Sequence, residues 1–189
     1  YDRLQFCDKE MQKKGFVAQL QIAEETGLPL FLHNRNTGMD LLDLLTEHRS
    51  KFNCGVVHSY DDSSELAQKF VDLGLYIGIN GCSLKKEENL EVVKSIPLDR
   101  ILLETDCPWC DIRQTHAGSK FLKTTFPTKK EKQFEMGCCV KNRNEPCHIV
   151  QVAEVVAGAR GMTVEDLANA CFENSMKFFG DFKTPPPWD

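Results

Sequence analysis

Four short apolar runs constrain the fold most: Leu30-Phe31-Leu32-His33, Gly55-Val56-Val57-His58, Tyr76-Ile77-Gly78-Ile79 and Ile101-Leu102-Leu103-Glu104-Thr105. Amphipathic stretches with apolar residues at helical spacing lie between them. That alternation is the pattern of βα units around a parallel sheet, so an α/β fold is expected.

The intervening segments carry helix punctuation. Residues 9 to 26 place Phe16, Leu20 and Ala23 on one face, with Gly27 as a stop and Pro29 preventing continuation. Thr37 is read as the cap of a helix carrying Leu41, Leu42 and Leu45. Asp62 or Ser63 is read as the cap of one carrying Leu66, Phe70 and Leu73, ended by Gly74. Leu90 and Val93 mark a further helix, and Pro97 breaks the chain ahead of the fourth strand, expected over residues 101 to 105. From Cys107 to Pro146 no period is visible, and ordered loops of that length are usually functional or mobile. Two helices are expected at about 146 to 160 and from Thr163, where Thr163-x-x-Asp166 resembles a capping box; Pro185 to Pro187 read as a frayed tail. One domain over residues 1 to 180 and a tail at 181 to 189 are expected. A closed (β/α)8 barrel needs eight strands and ~250 residues, so four strands supply about half of one.

Composition narrows the function classes. With 41% hydrophobic and 27% charged residues the chain reads as globular. No apolar stretch approaches the roughly 20 residues that span a bilayer, and the first ten residues lack a basic head with an apolar run, so no membrane role is expected. Nine scattered cysteines read as reduced thiols in a nuclear or cytosolic setting. A formal net charge of -5 argues against a protein that coats nucleic acid, since lysine and arginine drive such binding, but leaves room for a nuclease that collects carboxylates around a metal. Five lysines between Lys120 and Lys132, interleaved with Phe121 and Phe126, read first as a solvated loop and second as a nucleic-acid contact.

The strands are expected to end at His33, His58, Asn80 and Asp106, separated by 25, 22 and 26 residues. In a parallel sheet all C-terminal strand ends lie on one edge, where α/β folds place their ligands. Two imidazoles and a carboxylate suit Zn²⁺, Mn²⁺ or a similar ion. Such an ion makes hydroxide available near neutral pH, with Asp106 placed to accept a proton from attacking water. The ordinary alternative is a pair of half-buried core histidines and an aspartate capping a helix. Arg35, two residues beyond His33, is either a surface arginine or a fork for phosphate.

At this point the residues carry a resemblance. Phe31-Leu32-His33-Asn34-Arg35, Val57-His58-Ser59-Tyr60, Leu103-Glu104-Thr105-Asp106-Cys107-Pro108-Trp109 and Arg143-Asn144-Glu145-Pro146 resemble successive motifs of TatD-family deoxyribonucleases, over Tyr1 to about Gly180. His116-Ala117-Gly118-Ser119-Lys120 resembles the eukaryotic TATDN-type branch. The resemblance implies the C-terminal portion, about strands 5 to 8, of an amidohydrolase-like TIM (β/α)8 barrel that cleaves DNA by activated water. It implies one or two divalent ions (Mg, Mn or Zn) per complete site and no obligate protein partner. His33 and His58 would be metal ligands, Asp106 ligand and proton acceptor, and Arg35, Arg143 and Glu145 substrate contacts. Another amidohydrolase-like metal hydrolase, acting on an amide or ester, and a non-catalytic binding module are the alternatives.

The family pattern also has an H-x-H pair and a glutamate on a Gly-Glu-x-Gly-Leu-Asp segment, which this sequence lacks. Tyr1-Asp2-Arg3-Leu4-Gln5-Phe6 resembles the residues after that glutamate, so the chain is expected to be a fragment starting after a fourth strand, with weak metal binding and little nuclease activity alone. The strands at 30 to 33 and 101 to 105 would then present open edges. Cys107-Pro108-Trp109-Cys110 fits a thiol-redox motif badly, because an irregular loop follows it. Cys138, Cys139, Cys147 and His148 lack the paired spacing of a zinc knuckle and read as incidental thiols.

Overall fold

The computed structural model describes residues 1–180. Helix α1 (Lys9–Thr26) starts where the Asp8 side chain accepts the Met11 N–H and stops at Gly27, whose φ of 67° is left-handed backbone that glycine adopts without strain. It buries Leu20 and Ala23, with Phe16 packed at the core's margin. The chain then alternates through β1 (Leu30–His33), α2 (Asp40–Glu47), β2 (Gly55–His58), α3 (Ser64–Asp72), β3 (Tyr76–Ile79), α4 (Glu87–Ser95) and β4 (Ile101–Leu103). Ser63 caps α3, accepting the Leu66 N–H at 3.3 Å.

The four strands form one parallel sheet in the order β1-β2-β3-β4, as the alternation predicts. Leu32 pairs with Val57, Val57 with Ile77 and Ile77 with Ile101. This in-register row is buried in the main core with Leu20, Leu45, Phe70 and Val155 from the helices. Side chains alternate across a strand, so Phe31, Val56, Tyr76 and Leu102 face the other way. There Val56, Tyr76 and Leu102 meet Phe178 of α6 (Val164–Phe179) in a second, smaller cluster. β1 and β4 are the edges of the sheet among the described residues.

Three local expectations are corrected. Thr37 does not cap α2: its hydroxyl donates to Asn34 Oδ1 at 2.5 Å, and the cap position falls to Met39 with no side-chain bond. The fourth strand is shorter than expected, ending at Leu103, because the Glu104 N–H makes the last bond toward β3, on Ile79 O, before the chain turns through Asp106 at φ 53°. The stretch after Cys107 is not wholly irregular. It holds 3-10 turns at Ala117–Phe121 and Glu131–Gln133 and a parallel pair of two-residue strands, β5 (Thr128–Lys129) and β6 (Cys139–Val140).

Single side chains hold that stretch. Buried Glu154 of α5 (Ile149–Arg160) accepts the Lys123 and Thr124 N–H groups and the Thr124 hydroxyl. Burial opposes its charge, but those donors together keep its carboxyl below the ordinary range. Of the five lysines of this region, Lys120 pairs with Glu87 and Lys129 with Glu135. Thr163 caps α6 by accepting the Asp166 N–H. No described helix is long and apolar enough to cross a membrane. The tail at 181 to 189, with Pro185 to Pro187, lies outside the described residues.

Candidate metal centre at the sheet rim

His33 and His58 are the last residues of β1 and β2 and pair directly across the ladder. Register alone brings His33 Nδ1 to 3.2 Å from His58 Nε2. On one flank, His33 Nε2 lies 3.3 Å from Asp2 Oδ2. On the other, His58 Nδ1 lies 3.2 Å from Glu104 Oε2, while Glu104 Oε1 accepts the Ser59 N–H at 2.6 Å. A carboxylate on the second nitrogen of an imidazole fixes which nitrogen carries the proton and which faces the site.

Glu104 is the first residue beyond β4 and reaches His58 over β3. It can do so because residue 78 is glycine. A Cβ there would collide with Glu104 Oε1 and stand 3.1 Å from His58 Cα. Neither Glu104 nor Asp2 was assigned a role from the sequence. The signal for Glu104 was present, since it follows Leu102 by two residues and so shares the face of His33 and His58. Asp2 carried none, being far from any strand end.

Electrostatics separate the two imidazoles. The Glu104 hydrogen bond raises the His58 pKa above the ordinary value against the effect of burial, with Asp106 adding to the rise. Burial, the neighbouring His58 and Arg35 lower that of His33. The position thus favours positive charge on His58 and a free lone pair on His33.

Asp106 is not a strand-end residue in register with the histidines. It lies three residues beyond β4 in a left-handed turn, and its Oδ2 accepts the Cys110 thiol at 3.2 Å. Among the described residues no third Asp, Glu, His or Cys donor at the rim lies within 4.8 Å of both His33 and His58. Asp106 does share a shallow cleft with Phe31, Glu104, Pro146 and Ile149. Asn80, the other expected strand end, is fully buried and turned inward, capping the 3-10 turn at Gly81–Leu84 through the Cys82 N–H.

The expected substrate contacts divide. Arg35 stands beside the pair, its Nη1 3.3 and 3.1 Å from the two Asp2 oxygens. Arg143 and Glu145 lie apart from it: Arg143 Nη2 is 3.5 Å from Glu145 Oε1, which accepts the Val140 N–H at 2.9 Å. Between them Asn144 is buried and donates to Thr105 O at 2.8 Å and Trp109 O at 2.7 Å, tying this segment to the loop that carries Asp106.

The pair fits a shared cation. Two nitrogens bound at ~2.0–2.1 Å in tetrahedral geometry stand about 3.3 Å apart, which the 3.2 Å separation matches. The carboxylate behind His58 completes a carboxylate–imidazole arrangement of the kind that orients metal ligands.

Comparison with known proteins places this rim in context. The chain is 46% identical over 179 residues to deoxyribonuclease Tat-D of Schizosaccharomyces pombe, covering 93% of this chain and 57% of that protein. It is 31% identical over 173 residues to the uncharacterized metal-dependent hydrolase YabD of Bacillus subtilis, covering 90% and 58%. A crystal structure of a hydrolase TatD family protein from Entamoeba histolytica superposes with a TM-score of 0.89 at 35% identity, covering 95% of this chain and 60% of that one. The chain therefore spans about three fifths of the length of these relatives. The family model for TatD-related DNases matches residues 1–180, and the chain belongs to that family.

Proposed function

We propose that this chain contributes the His33–His58 rim to a metal-dependent deoxyribonuclease that hydrolyses DNA phosphodiester bonds. One observation carries the reading: two strand-end imidazoles face each other at 3.2 Å with a carboxylate behind one of them. Relatives named as deoxyribonuclease and metal-dependent hydrolase support it.

His33 and His58 would hold a divalent ion, Mg, Mn or Zn, with Asp106, on the loop beyond β4, as the further donor that the family resemblance implies. When bound, such an ion polarises a phosphoryl oxygen and acidifies water. The chain's own groups do the rest. Glu104 holds the proton of His58 Nδ1 and so aims Nε2 at the site. Asp106 receives the proton of the attacking water. Arg35, released from Asp2, offers a planar fork to a phosphate. Substrate enters by the cleft between Phe31 and Pro146.

The test is cleavage of an oligodeoxynucleotide with Mn²⁺, beside small amide and ester substrates. The chain alone is expected to cleave little DNA, and whatever cleavage it shows should fall at least ~100-fold in His58→Ala. Amide or ester turnover without DNA cleavage would move the centre to another hydrolase class. No stoichiometric ion uptake in a calorimetric metal titration, with no turnover of any substrate, would leave a binding module.

A further inference from the structure

Away from the rim, the described residues bring together three metal-ligating side chains: Cys139 on β6, and Cys147 and His148 on the turn before α5. One donor atom of each lies within 4.8 Å of the other two. The sulfurs are 3.8 Å apart and the cysteines are free. A disulfide requires about 2.05 Å. Two thiolates on one tetrahedral zinc, with bonds of ~2.3 Å, stand about 3.8 Å apart.

The surroundings suit such an ion. Asn144 Oδ1 lies 2.9 Å from His148 Nδ1, an acceptor placed to take that proton and leave Nε2 with a free lone pair. The Glu145 N–H is 2.9 Å from His148 Nδ1 and 3.1 Å from Asn144 Oδ1, so it keeps an acceptor in either tautomer. The Phe126 ring, edge-on at 5.0 Å, holds the imidazole plane. Two thiolates and a neutral imidazole balance a doubly charged cation.

We propose that Cys139, Cys147 and His148 form a binding site for a soft divalent cation, zinc by its chemistry, separate from the histidine pair. Three protein donors leave the fourth position to solvent, which reaches the exposed Cys147. The spacing C-C-x7-C-H lacks the knuckles of sequence-local zinc motifs. Here the bend from β6 through Asn144 to the turn before α5 supplies the convergence instead. Because Asn144 lies between the ligands and grips Thr105 O and Trp109 O, an ion at this site braces the loop that carries Asp106.

Cobalt titration of the reduced chain tests this, because only cysteine ligands give a thiolate-to-cobalt charge-transfer band. One equivalent should produce the band. Cys139→Ser and Cys147→Ser should each abolish it, and His148→Asn should weaken cobalt binding at least ~10-fold. Cys138→Ser, whose thiol is outside the group, and Cys82→Ser should leave it intact. Circular dichroism of each variant checks folding, and Cys147, being exposed, is the variant least coupled to the core. Absence of a band in the reduced wild-type chain, its survival in Cys147→Ser, or its loss in Cys82→Ser would overturn the proposal.

Discussion

The sheet rim and the chain between β4 and α5 assemble polar groups by different physical routes. At the rim, hydrogen-bond register does the work: Leu32 already pairs with Val57, so the next step forces His33 onto His58. Between β4 and α5 almost no ladder exists, and the chain is pinned by single side chains, Asn144 on two carbonyls and Glu154 on three donors. The first arrangement distributes its stability over many backbone bonds and is sensitive to side-chain size on the shared face. The second rests on a few polar groups and is sensitive to their removal.

Three substitutions sharpen that contrast. Gly78→Ala should have the largest effect, about 3 kcal/mol of stability lost in urea unfolding, because the new methyl meets Glu104 and the His58 backbone at once. A loss below ~1 kcal/mol would mean that Glu104 swings aside freely and that the rim is less rigid than its register implies. Asn144→Ala follows at about 2.5 kcal/mol, since it leaves Thr105 O and Trp109 O without their donor. Its signature is faster amide exchange confined to the loop after β4, and uniform exchange across the sheet would break the distinction between the regions.

Glu154→Gln is the smallest, at about 1.5 kcal/mol near neutral pH, and it carries a pH sign. A carboxyl whose folded pKa is depressed contributes stability that is fully present above its unfolded value, about 4.3, and is lost as pH falls through the folded value. The variant's stability should therefore decline less steeply on acidification than that of the wild type. Parallel acid limbs would show that the Lys123 and Thr124 donors do not stabilise the ionised form.

Periodicity was enough to locate β1 to β4 and all of the long helices, because apolar runs and capping residues are local signals. Ser63, Gly27 and Thr163 act where a helix end needs them. Thr37 failed as a cap because Asn34, three residues back, accepts its hydroxyl proton, a competition that spacing does not reveal. The rim was legible as far as strand ends go, giving His33 and His58. Counting two residues too many into β4 put Asp106 on the shared rim and passed over Glu104, whose reach depends on a missing side chain one strand away. The cysteine cluster was visible in the sequence but set aside on its spacing, for a related reason: Cys139 and Cys147 meet only after a two-residue strand and a buried asparagine have folded the chain back.

Gly78 donates no proton, accepts none and would ligate nothing, yet the partnership between β2 and β4 passes through the gap above it. An inventory of reactive groups would rank that position last. In a survey of natural or engineered variants, the strand with the least chemistry of its own is where one added carbon would disconnect an acid from the base it steers.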